Sequence, residues 1–498
     1  MIALLVLVVC FSLVGLLLSR VGARNIDGVP SAKGSVFFLG HSLMVKEIFS
    51  DKKLFLQTLL DEAERLGRSF TLNIVNQPPQ LLITKEESAR HVLSNLDIYR
   101  KDVDGSGKLQ NEELLGNGIF LADGALWQFH RKAASYMFST NVMRRMVDVF
   151  NEHGHTMLEV LEGNCRSGDV VDIQELFQRF TMDSICRIAF GVHFDSLHLP
   201  QGDKPEFSYA FDYLQELTSR RGVLPISYLW VTKKFQLTQF ERDVAKCAAT
   251  LDRTILDVLR KREKQLKEGG QGAKDSGTFQ DLLTQFVKMA HEKNEKLDVK
   301  FCRDVCLNFI IAGRDTTACL LSWTIYELCR HPDMETRVVE EIAAALNGGM
   351  PDYDNVKELD FTERFIMEVL RLHAPVPLDV KRVGQDDYLP DGTFVPRGSK
   401  VIYGPWIFGR ASWLWDDPLE LRPERWIDSK HSDYKFLTFN AGPRLCLGKR
   451  MAIVEAKVVL SLLLPRFRFR LLETQTDDIA VGIILWFRDG LKVVAQRR

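Results

Sequence analysis

Residues 439–448 read FNAGPRLCLG, and a helical pattern follows them. This thiol loop places Cys446 on a segment constrained by Gly and Pro, just before a helix amino terminus, where backbone amide dipoles favour a thiolate. Gly442 and Gly448 allow turns and close approaches that a side chain would block. Arg444 supplies a fixed cation for an anionic partner. The stretch therefore predicts an ionisable thiol beside an anion-binding guanidinium.

The 498-residue chain has an ordinary globular composition, with 46% hydrophobic and 26% charged residues. Its 33 Gly and 17 Pro are far fewer than low-complexity or fibrous proteins contain. The 65 basic and 66 acidic side chains leave a formal charge of −1, so no global field attracts a polyanion and nucleic-acid binding is disfavoured. Nine cysteines without a CxxC pair or metal-finger spacing favour reduced thiols over a disulfide scaffold.

The amino terminus differs from the rest of the chain. Residues 1–19, MIALLVLVVCFSLVGLLLS, carry no charge and are nearly long enough to span a bilayer as a helix, and Arg20 and Arg24 follow. We expect an N-terminal membrane anchor with its amino end translocated, and one catalytic domain, residues 20–498, in the cytosol. A cleaved signal peptide is the alternative, because residues 21–23 resemble a cleavage site. The length of the apolar run and the lack of any Asn-x-Ser/Thr sequon favour the anchor.

The remaining chain shows no internal repeat, and its periodicity is mostly helical. The charged, glycine-rich residues 261–277 predict a solvated linker between two helical stretches. Strand-like runs occur at 69–75, 80–84, 400–403 and 491–495. Helical patterns cover 142–162, 172–190, 236–266, 298–330, 334–347, 359–372 and 449–464. The expected fold class is α+β, mostly α-helical, with segregated small sheets.

The thiol loop fits the pattern FxxGxRxCxG, which resembles the heme-binding signature of the cytochrome P450 monooxygenases. The resemblance implies that Cys446 is the axial thiolate ligand of the iron in heme b, and that Phe439, Arg444 and Gly448 contact the cofactor. Electron donation from such a thiolate favours oxygen–oxygen cleavage. It also implies the cytochrome P450 fold, a large helical region with small β-sheets enclosing a heme.

Residues 309–317, FIIAGRDTT, lie inside the longest helical pattern. Gly313 and two threonines weaken a helix interior, and Thr316 can bond the carbonyl of Ala312, which would widen the turn. The motif resembles the distal helix of the family, which implies that Asp315 and Thr316 deliver protons during oxygen activation. Asp-Thr-Thr alone would fit an ordinary helix surface, but its position before the thiol loop supports the catalytic interpretation.

Glu368 and Arg371 resemble the ExxR motif of the family, and residues 423–426, PERW, stand where a PERF-like motif belongs. The resemblance implies a buried charge network of Glu368, Arg371 and Arg425 that supports the heme loop. Trp426 replaces the commoner Phe without changing the charges.

Trp127 and Arg131 match the WxxxR motif of the family, which implies contact with a heme propionate. Arg382, which follows Pro-Val-Pro at 375–377, is a further candidate propionate donor.

Residues 102–113, DVDGSGKLQNEE, fit the ligand pattern of an EF-hand calcium loop. EF-hands need flanking helices and usually pair, whereas Gly116 and Gly118 interrupt the exit side and no second loop is present. A solvated acidic loop in the substrate-access region is the favoured interpretation, and calcium binding is an alternative.

Three stretches resemble the fatty-acid ω-hydroxylase branch: LGNGIFLADG at 115–124, FTMDSIC at 180–186 and AGRDTT at 312–317. An alkyl chain would suit an apolar pocket. Its candidate lining residues, each of which could equally be ordinary core, are Ile119, Phe120, Ile311, Val376, Pro377 and Leu378.

We therefore expect an oxidoreductase of the endoplasmic reticulum membrane that hydroxylates a long-chain fatty acid near its methyl end. Electrons would come from NADPH through a separate cytochrome P450 reductase, because no Gly-rich dinucleotide motif follows Cys446. Lys132, Lys449 and Arg450 could form the docking patch. The alternatives are a hydroxylase of a sterol or terpenoid, a heme-thiolate isomerase or dehydratase, and a calcium-binding regulatory protein.

Overall fold

The computed structural model describes residues 26–35, 40–42, 52–74, 77–101, 106–222, 224, 226–268, 281–282, 286, 299–427, 431–480 and 482–498. The predicted anchor, with Arg20 and Arg24, lies outside the described residues. So do residues 269–277 of the predicted linker and residues 102–105 of the acidic loop.

Helices make up most of the described chain, which confirms the expected fold class. In chain order they are α1 (Lys52–Leu66), α2 (Glu86–Ser94), α3 (Ser106–Leu115), α4 (Gly124–Ser135), α5 (Thr140–Ser167), α6 (Ile173–Phe190), α7 (Glu206–Arg221), α8 (Ile226–Phe235), α9 (Gln239–Glu268), α10 (Val299–Ile310), α11 (Thr316–Arg330), α12 (Pro332–Leu346), α13 (Asp360–Leu372), α14 (Pro405–Arg410) and α15 (Lys449–Leu463).

The strands are short and lie in three small sheets at the edges of the helical region. They are β1 (Phe70–Leu72), β2 (Gln80–Leu82), β3 (Tyr99–Arg100), β4 (Val171–Asp172), β5 (Asp379–Val383), β6 (Asp387–Tyr388), β7 (Phe394–Val395), β8 (Lys400–Tyr403), β9 (Phe467–Leu471) and β10 (Lys492–Arg497). The five-stranded sheet has the order β1-β2-β8-β5-β3, the three-stranded sheet β4-β10-β9, and the pair β6-β7 stands alone. Only β2 and β8 pair in parallel; every other pairing is antiparallel.

One long helical rod, α10 continued by α11, runs through the core. It is apolar on nearly all sides, as a helix surrounded by other elements must be, and α11 packs against α6, α13 and α15. The stretch Lys300–Arg330 is long and apolar enough to cross a membrane, yet 78% of its apolar window is buried in the protein. Its length and hydropathy therefore reflect its central position in the fold.

The rod changes to a π-helix at Ile311–Asp315. Gly313 sits against α6 so closely that an added Cβ would come within 2.6 Å of Ile185. The Thr316 hydroxyl donates to the carbonyl of Ala312 at 2.6 Å. The widened turn expected from the sequence is thus confirmed, and such turns occur often at functional sites.

Two expectations about charged segments are wrong. The linker does not begin at residue 261, because α9 continues to Glu268. The Lys, Arg, Glu, Gln and Leu residues of this stretch are good helix formers. The second concerns the solvated acidic loop, because its residues from Ser106 onward form helix α3. Glu113, at the last position of the EF-hand pattern, pairs with Arg221 at 2.7 Å and with Lys233 at 3.0 Å.

A fully buried carboxylate, that of Glu368 on α13, connects the helical core to the segment that leads into the thiol loop. Arg371 donates to both of its oxygens at 2.9 and 2.7 Å, and Arg425 donates to Oε1 at 3.0 Å. The indole N–H of Trp426 donates to Oε2 at 2.9 Å. The expected charge network is confirmed, and the Trp in place of Phe adds a donor to it.

We predict that Trp426→Phe lowers the free energy of unfolding by about 1.5–3 kcal/mol, because it deletes a hydrogen bond to a buried charge and keeps the aromatic packing. Urea unfolding of the purified protein measures the change. Trp230→Phe is the matched control, since Trp230 is 55% exposed on α8. Equal effects of the two substitutions would contradict the prediction.

Candidate functional site

The thiol loop is held by its own backbone. It contains the two short 3-10 turns Leu437–Phe439 and Gly442–Arg444, and the amide of Cys446 donates to the carbonyl of Phe439 at 2.8 Å. Gly442 has a φ of 63°, and an added Cβ would lie 3.0 Å from the carbonyl oxygen of Leu93. The turn therefore requires glycine at this position.

The Cys446 side chain is exposed to solvent, and yet burial is the largest influence on its thiol and raises the pKa. The two facts agree if the sulfur faces an internal space with protein atoms on most sides. The backbone amides of Gly448 and Lys449 and the charge of Arg131 act in the opposite direction and lower the pKa. These groups favour an anionic sulfur from the helix side, but burial outweighs them and the net effect raises the pKa of Cys446.

Trp127 and two arginines lie beside the thiol loop. The guanidinium of Arg444 is 4.7 Å from the centre of the Trp127 ring, and that of Arg131 is 5.8 Å from it. Arg131 donates to the carbonyl of Leu445 at 2.9 Å. Arg444 donates to the carboxylate of Asp123 at 2.7 Å. The structure therefore brings together the predicted residues of helix α4 and of the loop.

The strand β5 contributes Lys381 to this group, and the next residue, Arg382, which the sequence suggested, is also buried, at 4% exposure. Lys381 is 0% exposed, and its Nζ has no hydrogen-bond partner among the described residues. Burial is the main cause that holds its pKa well below the ordinary value, and the charges of Arg444 and Asp123 also act on it. Because side chains alternate along a strand, Arg382 points to the other face. The period of two was the signal that could have identified Lys381.

Lys101 and Asp379 complete a cluster of five charges with Asp123, Lys381 and Arg444. Lys101 binds Asp379 at 2.7 Å, and the amide of Lys101 donates to Asp123 at 3.0 Å. The cluster holds three basic and two acidic side chains. The excess basic group is the buried Lys381, whose Nζ has no hydrogen-bond partner among the described residues. An anionic group placed beside it would be stabilised. These residues fit the carboxylate end of a heme.

On the π-helix, Asp315 is completely buried and Thr316 is half-buried. Arg314 donates to Oδ1 of Asp315 at 2.8 Å, and Gln215 of α7 donates to Oδ2 at 2.9 Å. Burial raises the pKa of Asp315 to about 6, although Arg314 and Gln215 lower it. A carboxyl group with this pKa can both give and regain a proton near neutrality.

Glu455 on α15 is a buried acid that the sequence analysis did not single out. It is 1% exposed, and burial raises its pKa well above the ordinary value. Its hydrogen bond to Thr317 connects the helix that follows Cys446 to the rod, one residue beyond Thr316. No pattern in a single sequence distinguishes it from a surface glutamate.

The remaining candidates are spread over different environments. Ile311 and Pro377 are buried; Ile119, Val376 and Leu378 are half-buried; and Phe120 is 39% exposed. Of the suggested docking residues, Lys132 and Arg450 are exposed, whereas Lys449 is half-buried and pairs with Asp433 at 3.5 Å.

The fold is mostly helical, its core helix contains a π-turn, and its cysteine loop is flanked by Trp and cations. Together these features define a heme-thiolate enzyme. The family model for cytochrome P450 matches residues 30–487. The chain belongs to the cytochrome P450 family and is a monooxygenase. Enzymes of this family carry heme with a cysteine thiolate ligand and receive NADPH electrons from a separate reductase.

The curated relatives are of comparable length. Cytochrome P450 86B1 of Arabidopsis thaliana is 35% identical over 428 residues, which cover 82% of this chain and 75% of the relative. Cytochrome P450 94A1 of Vicia sativa is 32% identical, with 78% of this chain and 76% of the relative covered. Cytochrome P450 94B1 of Arabidopsis thaliana is 32% identical, with 87% and 85% covered.

We predict opposite effects on stability for two lysines of the charge cluster. In heme-free protein, Lys381→Met should raise the urea midpoint because it removes a buried ammonium that has no partner. Lys101→Met should lower the midpoint because it leaves Asp379 without its 2.7 Å partner. A lower midpoint for Lys381→Met would show that its amine is stabilised within the fold.

Proposed function

We propose that this monooxygenase hydroxylates long-chain fatty acids near the methyl end, with Cys446 as the axial ligand of heme b iron. The single observation that carries the proposal is the exposed Cys446 just before α15, where the amides of Gly448 and Lys449 and the charge of Arg131 favour its anionic form. When bound, heme supplies the binding and reductive activation of dioxygen.

The chain holds the cofactor from two sides in this proposal. Cys446 binds the iron, and Phe439 and Gly448 support the loop against the macrocycle. Trp127, Arg131, Arg444 and Lys381 bind the propionates, and Lys381 takes the position that the sequence analysis gave to Arg382. The support is the excess of buried cations in the cluster, which an anionic group neutralises.

Asp315 and Thr316 deliver protons to the reacting oxygen. The Thr316 hydroxyl is half-buried and lies on the widened turn, where its own oxygen can accept a proton while it donates to Ala312. Asp315 is the group behind it that gives and regains protons, and its raised pKa of about 6 suits that exchange. Both residues sit on a rigid core helix, so their geometry is preorganised.

The fatty-acid substrate is supported by the three motifs that resemble the ω-hydroxylase branch. Two of them, at 180–186 and 312–317, meet in the structure, because Gly313 packs on Ile185. Ile119, Val376 and Leu378 are apolar and half-buried, as residues that contact an alkyl chain would be. A sterol or terpenoid substrate would use the same apolar contacts.

Electron supply and location belong to the same proposal. A separate NADPH–cytochrome P450 reductase docks on the side of the thiol loop, where exposed Lys132 and Arg450 offer positive charge. Residues 1–19 anchor the protein in the endoplasmic reticulum membrane, and residues 20–498 form one catalytic domain in the cytosol. The uncharged run followed by Arg20 and Arg24 supports this topology.

We predict that Cys446→Ala abolishes the red-shifted Soret band of the reduced, carbon monoxide-bound protein, because that shift requires a thiolate ligand. Cys165→Ala, which changes a half-buried thiol that bonds Ala495, should keep the band. Retention of the band in Cys446→Ala would refute the ligand assignment.

We predict that Thr316→Ala consumes NADPH with several-fold less product, because dioxygen reduction continues without controlled proton delivery. The matched control is Thr324→Ala on the same helix, where the hydroxyl makes the same bond to the carbonyl four residues earlier at 2.7 Å. The ratio of product to NADPH measures the effect, and an unchanged ratio in Thr316→Ala would count against the role.

The substrate assignment is tested by incubating the reconstituted enzyme with fatty acids of graded chain length, a sterol and a terpenoid. Mass analysis should find hydroxylation at or beside the terminal methyl group of the fatty acids. Turnover of the sterol or terpenoid alone would replace the fatty-acid proposal by that alternative.

A further inference from the structure

The carboxylate of Asp315 is held from outside its own helix. Gln215 on α7 donates to Oδ2 at 2.9 Å, and Arg314 donates to Oδ1 at 2.8 Å. The same Nη1 atom of Arg314 also binds Asp212 of α7, at 2.6 Å. Asp212 and Gln215 therefore reach Asp315 from one helix, the first through Arg314 and the second directly.

The three side chains that make these contacts around Asp315 are almost completely buried. Asp315 is 0% exposed, the Arg314 side chain 3% and Gln215 7%. Each oxygen of Asp315 receives a single donor, so both are needed to set the direction of the carboxyl group. Because the carboxyl group is completely buried, loss of a donor leaves one of its oxygens unsatisfied, and the group must turn or change its protonation.

The far side of Arg314 opens on a narrow cleft between α6 and the start of α7. Its lining residues include Glu175, Gln178, Lys204, Ser208 and Arg314. Asp212 binds the same Nη1 atom of Arg314 as Asp315 does, is 28% exposed, and also binds Lys204 of the cleft lining, which is 37% exposed, at 3.2 Å. The cleft, whose lining also includes Met182 and Pro205, thus brings the surface to Arg314, the neighbour of Asp315.

We propose that Asp212 and Gln215 are positioning residues for Asp315, and that the cleft beside Arg314 is the route by which solvent protons reach it. This inference rests on the proposed role of Asp315. The overall reaction of RH, O2, NADPH and H⁺ gives ROH, H2O and NADP⁺, so the protons of the water formed come from solvent. A completely buried Asp315 cannot regain them without such a route.

The arrangement links proton delivery to the position of α7. Tilting or sliding of α7 would withdraw the Asp212 and Gln215 contacts together, while Thr316 keeps its bond to Ala312 within the rod. With α7 displaced, Arg314 remains the only donor to Asp315 given by these contacts. The orientation of the Asp315 carboxyl group during hydroxylation thus depends on α7 staying packed against the π-helix.

The experiment compares Asp212→Asn, Gln215→Leu and Asp315→Asn with a control, Glu216→Gln. Glu216 is the next residue of α7, is 39% exposed and pairs only with Arg220 among the ion pairs of the described residues. Each variant is purified with heme and first checked for the thiolate Soret band. The measurements are product formed per NADPH, KM, kcat and the solvent isotope effect on kcat.

We expect Asp212→Asn and Gln215→Leu to lower product per NADPH at least about threefold and to raise the solvent isotope effect, with KM within twofold of the wild type. Asp212→Glu should restore most of the coupling. Combined with Asp315→Asn, neither substitution should lower coupling further, because both act through that carboxyl group. Urea unfolding should show the same non-additivity.

Two results would overturn the inference. One is a loss of coupling in an α7 variant that adds in full to the loss in Asp315→Asn, which would indicate an independent role. The other is a raised KM with unchanged coupling, which would indicate a substrate contact. Normal coupling in the α7 variants with an uncoupled Asp315→Asn would also overturn it and leave the proposed function intact. Normal coupling in Asp315→Asn would overturn the proton-delivery role itself.

Discussion

The Glu368 carboxylate is the interaction on which the rest of the structure depends. A charge buried at 0% exposure is tolerated only when its oxygens are satisfied, and here Arg371, Arg425 and Trp426 all donate to it. The guanidinium of Arg371 also donates to the carbonyl oxygens of Pro418 and Glu420. One carboxylate thereby fixes α13 to the long irregular segment before the thiol loop. Because that segment is irregular, few backbone hydrogen bonds of the kind found in helices and sheets hold it in place.

The second constraint is the interruption of the core rod. Gly313 lets α6 come close, and Thr316 takes over the carbonyl of Ala312, so the rod widens where a straight helix would be completely closed. The five-residue turn presents Asp315 to α7, and Thr316 follows it as the first residue of α11. Packing and local helix geometry therefore have one common cause, a small residue opposite Ile185.

Charge placement explains why the cofactor end of the site differs from an ordinary buried ion pair. Lys101 and Asp379 neutralise one another, and so do Arg444 and Asp123, whereas the Lys381 amine has no hydrogen-bond partner among the described residues. A buried amine without a partner lowers the stability of the fold on its own, and an anionic ligand beside it would offset that cost.

Motif spacing and periodicity by themselves determined the α+β class, the extents of β8 and of helices such as α6 and α13, the thiol loop and the Glu368 network. These features depend on local periodicity and on side-chain chemistry at fixed offsets. Tertiary structure decided the rest. It placed the buried Lys381 beside Arg444 and Asp123, paired Glu113 of α3 with Arg221, and brought α7 to Asp315. Contacts between residues a hundred or more positions apart depend on how helices pack, and a single sequence carries no local signal for them.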